Sequence, residues 1–193
     1  MTTSRTELAV ATPSSLRLEE IGHNRAAKME DHPTLTDAEA KAELARTLPN
    51  LRAFARGLCG NQDMADDLAQ DALLRAWAAR KNYEAGTNFR AWIFTILRNC
   101  YLSQMRRSRF HGKWDEKVAE RVLVTPAGQE TRLELSDVWR AIQRLPEPQR
   151  ESLILIGAEG FSYEEAARIC EVPIGTVKSR VARARNQLQR LIA

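Results

Sequence analysis

Four cations stand close together near the C-terminus, in "VPIGTVKSRVARARNQL": Lys178, Arg180, Arg183 and Arg185, with no acid among them. Ammonium and guanidinium groups are phosphate ligands, and an arginine fork also reads the guanine edge. On a helix turning about 100° per residue, Val177, Val181, Ala184, Leu188 and Leu191 form one apolar stripe. Opposite it lie Ser179, Ala182, Arg183 and Asn186, with Lys178 and Arg185 on one flank and Arg180 on the other. A helix held from behind in this way offers its free face to a DNA major groove. Ser179 and Arg183 are aimed at bases, Lys178, Arg180 and Arg185 fix register on phosphates, and Thr176 joins them from the first turn. Taken alone, such a run describes a solvated basic face equally well.

The residues just before it favour the groove. In "EGFSYEEAARICEVPIGTV", Ser162 is followed three residues later by Glu165, the capping-box spacing, and Ala166, Ala167 and Ile169 make a short apolar face. A helix of about two turns follows, Val172 and Pro173 stop it, and Ile174 and Gly175 lead into the next. Two short helices joined by a tight turn make a helix-turn-helix, with 175–190 as the recognition helix. Glu171 stands where such a turn favours glycine; a left-handed backbone there costs roughly 1–2 kcal/mol.

Two further charge clusters carry chemistry of the same kind. Residues 90–113 hold Arg90, Arg98, Arg106, Arg107, Arg109 and Lys113 without an acid, whereas 63–71 hold Asp63, Asp66, Asp67 and Asp71. Two basic regions and one acidic region imply two contacts with nucleic acid and one with a basic partner. Within the longer basic stretch, Asn99, Ser103, Arg106 and Arg107 lie off the apolar stripe, and the cations there can hold nucleic-acid phosphates in a salt-dependent way.

The elements that must position these groups read as helices throughout. Thr36, with Glu39 three residues on, opens a helix carrying Leu44, Leu48, Leu51, Phe54 and Leu58; Pro49 predicts a kink or break within it, and "CGN" ends it. Asp63 is a cap for the next helix, whose buried stripe is Leu68, Ala72, Leu73, Ala76 and Trp77. After "KNYEAGTN", Asn88 caps a long helix with Phe89, Trp92, Ile93, Ile96, Leu97 and Cys100 at helical spacing. By that period Phe89 and Trp92 belong to the core. Residues 110–129 break the pattern and read as a linker, after which Leu133, Leu135, Val138, Trp139, Ile142 and Leu145 resume it. The expected organisation is a flexible extension over 1–34, a helical domain over 35–109, the linker over 110–129, and a helix-turn-helix domain over 130–193. A flexible linker allows both a closed and an extended arrangement of the two domains.

Composition agrees with an all-α fold and excludes several classes. Of 193 residues 44% are hydrophobic but only 6% aromatic, and runs of alternating β-branched residues are almost absent. Cys59, Cys100 and Cys170 are single and widely spaced, so they read as reduced core thiols. His23, His32 and His111 have no metal-ligand spacing, and neither a metal nor any cofactor is expected. No phosphate-cradling glycine loop or HExxH appears, so an enzyme is the weakest candidate. The opening "MTTSRTELAVATPSSL" lacks a secretory core and no stretch approaches the roughly 18 apolar residues of a membrane span, which predicts a cytoplasmic protein.

Two segments carry a family resemblance. "ADDLAQDALLRAWAARKNYEAGTNFRAWIFTILRNCYLSQMRRSR" resembles sigma region 2, and "LPEPQRESLILIGAEGFSYEEAARICEVPIGTVKSRVARARNQLQRL" resembles sigma region 4, of the extracytoplasmic-function bacterial sigma factors. "LRAFARGLCGN" and "AEGFSYEEAARICEVPIGTVKSRVARAR" look most like the alphaproteobacterial general stress response type, EcfG. The resemblance implies a dissociable RNA polymerase specificity subunit, with region 2 opening and reading the downstream promoter element and region 4 reading the upstream one. Asp67, Gln70 and Asp71 then look like the surface that grips the coiled coil of the largest polymerase subunit, with the flap as a second core contact. Tyr83, Phe89 and Asn99 match a pocket for an extruded base and its support, where an aromatic stacks and an amide pairs. Sequestration by a small anti-sigma factor is implied as well. The alternatives are a sigma-mimic decoy that binds the anti-sigma factor without starting transcription, and an ordinary helix-turn-helix regulator. A decoy normally adds a receiver domain, for which 193 residues leave no room, and the regulator leaves the acidic helix unexplained.

Overall fold

The structure, a computed structural model, describes residues 34–110 and 131–192, and among these every long element is a helix. The expected extension before Thr34, nearly all of the expected linker, and the three histidines lie outside the described residues. Seven α-helices are described: α1 (Asp37–Cys59), α2 (Gln62–Ala79), α3 (Phe89–Phe110), α4 (Thr131–Gln143), α5 (Glu147–Gly157), α6 (Tyr163–Cys170) and α7 (Ile174–Ile192), with a 3₁₀ turn at Arg80–Asn82 after α2.

Local chemistry sets most of the boundaries. Thr36 Oγ1 accepts from the Glu39 N–H at 3.2 Å and the Glu39 carboxylate accepts from the Thr36 N–H at 2.8 Å, a complete capping box. α1 ends on Gly60 at φ 70°, a left-handed cap. It runs through Pro49 as one helix, so of the expected kink or break the break does not occur. Pro49 and Ala45 are both exposed, so the carbonyl that loses its i→i+4 donor faces water, while buried Leu44, Leu51 and Phe54 hold the helix from the other side. A second correction concerns α2: its cap is Asn61, whose Oδ1 accepts from the Met64 N–H at 2.9 Å, and Asp63 lies in the first turn. Asn88 caps α3 as expected, with Oδ1 accepting from the Ala91 N–H at 3.0 Å.

The apolar stripes meet in one continuous core. Leu51, Phe54 and Leu58 of α1, Leu68 and Ala72 of α2, and Ile93, Phe94 and Leu97 of α3 join Ile154 and Leu155 of α5, Ile169 of α6, and Val177 and Val181 of α7. Of the two arrangements open to the α1–α3 half and the α4–α7 half, the structure has the closed one. Phe94 meets Phe161 edge to face with centroids 5.0 Å apart. A Cβ built on Gly57 would lie 2.5 Å from Ile154 Cδ1, so glycine is what lets α1 and α5 approach. Arg150 ties the seam by donating from Nη2 to the Leu58 carbonyl at 3.0 Å and from Nη1 to that of Gln143 at 3.2 Å.

Candidate nucleic-acid and polymerase interfaces

The first candidate site is the outer face of α7. Val177, Val181 and Ala184 are buried, which fixes the helix from behind, while Lys178, Ala182, Arg183, Arg185 and Asn186 are exposed and Thr176, Ser179 and Arg180 half-buried. The stripe does not stay buried to its end: Leu188 is half-buried and Leu191 is 37% exposed, because α7 outruns the helices packed on it. Ser179 is already engaged within the helix. Its hydroxyl donates to the Thr176 carbonyl at 2.9 Å, and its Oγ and carbonyl accept from Arg183 Nη2 and Nε at 3.0 and 3.2 Å. That leaves the end-on edge of the Arg183 fork for a partner. Lys178 Nζ lies 5.9 Å from the Tyr163 ring.

The turn in front of α7 has the geometry that the residues dictate. Ser162 and Glu165 form their capping box, and the hydrogen bonds from Ser162 hold the Glu165 carboxyl below the usual carboxylate range. Glu171 takes the left-handed conformation, φ 54° and ψ 44°, and its N–H closes onto the end of α6. Val172 N–H donates to the Ala167 carbonyl at 3.1 Å, so satisfied helix-end carbonyls offset the strain.

The second candidate face lies along α3. Asn99, Arg106 and Arg107 are exposed and Ser103 half-buried; Ser103 Oγ donates to the Asn99 carbonyl at 2.8 Å and accepts from Arg106 Nη2 at 3.3 Å. Tyr83 stands apart from these. It is 4% exposed, edge-on to Phe89 at 5.1 Å and tilted against Trp92 at 5.3 Å, and its hydroxyl donates to the Thr87 carbonyl at 2.5 Å. In the closed arrangement it braces the loop before α3, and its ring offers no open stacking face. Phe89 is buried and Trp92 half-buried, in keeping with their period.

The third candidate face is on α2. Asp67 and Gln70 are exposed, while half-buried Asp71 accepts from Arg75 Nε at 3.2 Å on both oxygens. Leu74, on the same face one turn on, is 70% exposed. Sequence reasoning passed over Leu74, although its absence from the Leu68–Ala72–Ala76 stripe was the available signal. It also missed two acids that receive α3: Glu151 pairs with Arg98 and Glu159 with Arg90. Sequence separations of 53 and 69 residues leave no local signal for such pairs.

Among the described residues no group of three or more His, Cys, Asp or Glu is placed to hold a metal ion. The three cysteines are free thiols, and burial pushes Cys59 and Cys170 up to about 12 and Cys100 to about 11. No described helix is long and apolar enough to cross a membrane.

The sigma-70 region 2 family matches residues 44–111 and the sigma-70 region 4 family matches residues 135–188. The chain is 46% identical over 158 residues to the ECF RNA polymerase sigma factor EcfG of Rhodopseudomonas palustris (strain TIE-1), spanning 82% of this chain and 87% of that one. Among solved structures it is similar to the sigma factor RpoE in complex with the anti-sigma factor NepR from Bartonella quintana. That likeness has 52% identity, a TM-score of 0.71, and covers 79% of this chain and 95% of that one. It is also similar to CnrH in complex with the cytosolic domain of CnrY, at 26% identity and a TM-score of 0.62, over 81% and 89% of the two chains. The chain belongs to the ECF RNA polymerase sigma factors.

Proposed function

We propose that this sigma factor directs core RNA polymerase to stress-response promoters, acting in the cytoplasm as a specificity subunit that is not itself an enzyme. The observation that carries the reading is the division of labour among three outward faces: cationic α3, cationic α7 and acidic α2, each held from behind by one core. In this reading residues 35–109 work as region 2 and 130–193 as region 4. On α7, Arg183 reads a base edge, while Thr176, Lys178, Arg180 and Arg185 set register on phosphates. On α3, Asn99 pairs with an extruded base and Ser103, Arg106 and Arg107 hold the strand. Tyr83 reaches such a base only if the loop before α3 rearranges. Asp67, Gln70 and Asp71 grip the basic coiled coil of the polymerase, and a small anti-sigma factor, of the kind seen with the Bartonella relative, holds the protein in reserve.

Run-off transcription with core polymerase and stress-gene promoters tests this, with wild type beside Arg183→Ala and Asn99→Ala. Promoter-specific transcript weakened by both changes is the expected result. Absence of transcript together with tight anti-sigma binding identifies a decoy instead.

A further inference from the structure

Glu151 sits on α5 between the two helices read as DNA ligands. Arg98 of α3 donates from Nε to its Oε1 at 2.6 Å, and the two side chains are only 12% and 9% exposed. Arg98 immediately precedes Asn99 but lies about 80° around the axis from Arg106, turned off the α3 cationic face toward the seam. From the other side, the charge of Arg180 on α7 acts on the same carboxylate. Burial raises the Glu151 carboxyl, a shift that the charge and hydrogen bond of Arg98 oppose and to which Arg180 adds only a small opposing contribution, so the geometric partner of this carboxylate is Arg98.

The neighbouring pair repeats the pattern. Arg90 of α3 donates to both the carboxylate and the carbonyl of Glu159, between α5 and α6, while Asn50 donates to the same carboxylate oxygen at 3.1 Å. In both pairs the arginine comes from α3 and the glutamate from the other half. A buried ion pair is weak evidence of stabilisation, since apolar groups of equal volume often hold better. Its best-attested use is to set or switch an arrangement. Removing one partner, in contrast, strands the other, so departure of an arginine leaves a buried carboxylate that must meet water, and the seam opens as the arginine moves to another anion.

We infer that Glu151 is an internal stand-in for a nucleic-acid phosphate: it occupies Arg98, holds the two halves closed, and gives way when DNA phosphates take Arg98. The inference rests on the promoter-binding reading above and adds to it Arg98 as a phosphate ligand and Glu151 as the residue that withholds it. The closed form keeps α7 and the outer edge of α3 accessible, so DNA can dock before the exchange. Completion of the α3 site then requires the seam to part.

The test is fluorescence anisotropy of the full chain on a labelled promoter duplex across a salt series, paired with the radius of gyration from X-ray scattering. Glu151→Gln is expected to expand the particle and bind about three- to tenfold tighter at low salt, with a salt slope steeper by about one ion. Arg98→Gln is expected to expand the particle without tighter binding, and the double variant to follow Arg98→Gln. Glu151→Asp, which keeps the charge on a shorter stem, shows a smaller gain in the same direction should Glu151→Gln fold poorly. Unchanged affinity in both Glu151 variants, or equal gains in Arg98→Gln, overturns the inference while wild-type binding leaves the promoter reading intact. Failure of wild type and both Glu151 variants alike to bind the duplex overturns the inference, while the promoter reading stands or falls separately on run-off transcription with core polymerase.

Discussion

Asn88 and Glu165 each cap a different helix, and they hydrogen-bond each other, Nδ2 to Oε1 at 2.5 Å. Asn88 Oδ1 holds the first turn of α3 and Glu165 closes the capping box of α6, so the starts of α3 and α6 are joined by two side chains. Asn88→Ala should cost about 1–2 kcal/mol in urea unfolding. The double variant with Glu165→Ala should fall short of the sum of the singles by about 0.5–1 kcal/mol. Strict additivity would mean that the link between the caps contributes nothing.

Gly57 offers a second measurement on the closed seam. Alanine is worth about 1 kcal/mol more than glycine in a helix interior. Here its Cβ meets Ile154 Cδ1, so Gly57→Ala should bring no gain and Gly57→Val should lose about 1–3 kcal/mol. Ile154→Val removes the obstructing methyl and should make Gly57→Ala favourable in thermal melts of the double variant.

The thiols predict an alkaline limit. Burial raises Cys59 and Cys170 to about 12 and Cys100 to about 11, so above the ordinary thiol range the folded chain holds protons that the unfolded chain has released. Their contribution is complete below about pH 8.5 and is lost as pH rises towards 11–12. The urea midpoint should therefore fall between pH 8.5 and 10.5, less steeply in Cys170→Ala. Colorimetric thiol titration of the native protein at pH 8 should be slow until denaturant is added.

On α7 the two central residues should separate cleanly. Arg183→Ala should cost about 1–3 kcal/mol of promoter binding and relax specificity at one position. Ser179→Ala should cost less, because its hydroxyl already serves Thr176 and Arg183. Lys178→Ala should weaken all duplexes alike and lower the salt slope by about 0.9, measured by anisotropy.

For the α2 face, Asp67→Lys should weaken core-polymerase capture at least tenfold in a pull-down titration. Asp71→Asn should do less, since Arg75 already neutralises that carboxylate. Equal affinity of Asp67→Lys and wild type would remove the acidic face from the core contact.

Much of this was legible in the sequence because it depends on nearby residues. Helical period places Val177, Val181 and Ala184 beneath a cationic face, the Thr36–Glu39 and Ser162–Glu165 spacings specify capping boxes, and Glu171 marks the strained turn; each is a matter of backbone sterics or of groups three or four residues apart. Asn61 caps α2 in place of Asp63 because its side chain reaches the Met64 N–H, a choice between two nearby acceptors that spacing alone leaves open, and α1 continues through Pro49 because that residue lies on its exposed side.

By itself the sequence determined the helices, the centres of their apolar stripes and the three charged faces, since periodicity and capping act within a few residues, while Leu73, Trp77, Leu188 and Leu191 at the edges and ends stay partly exposed. Only the tertiary structure decided that Tyr83 is buried, that Gly57 admits Ile154, and that Arg98 and Arg90 meet Glu151 and Glu159. Those relations depend on which helices approach one another, and burial in a shared core, with its low dielectric and exclusion of water, is what turns scattered charges into specific pairs.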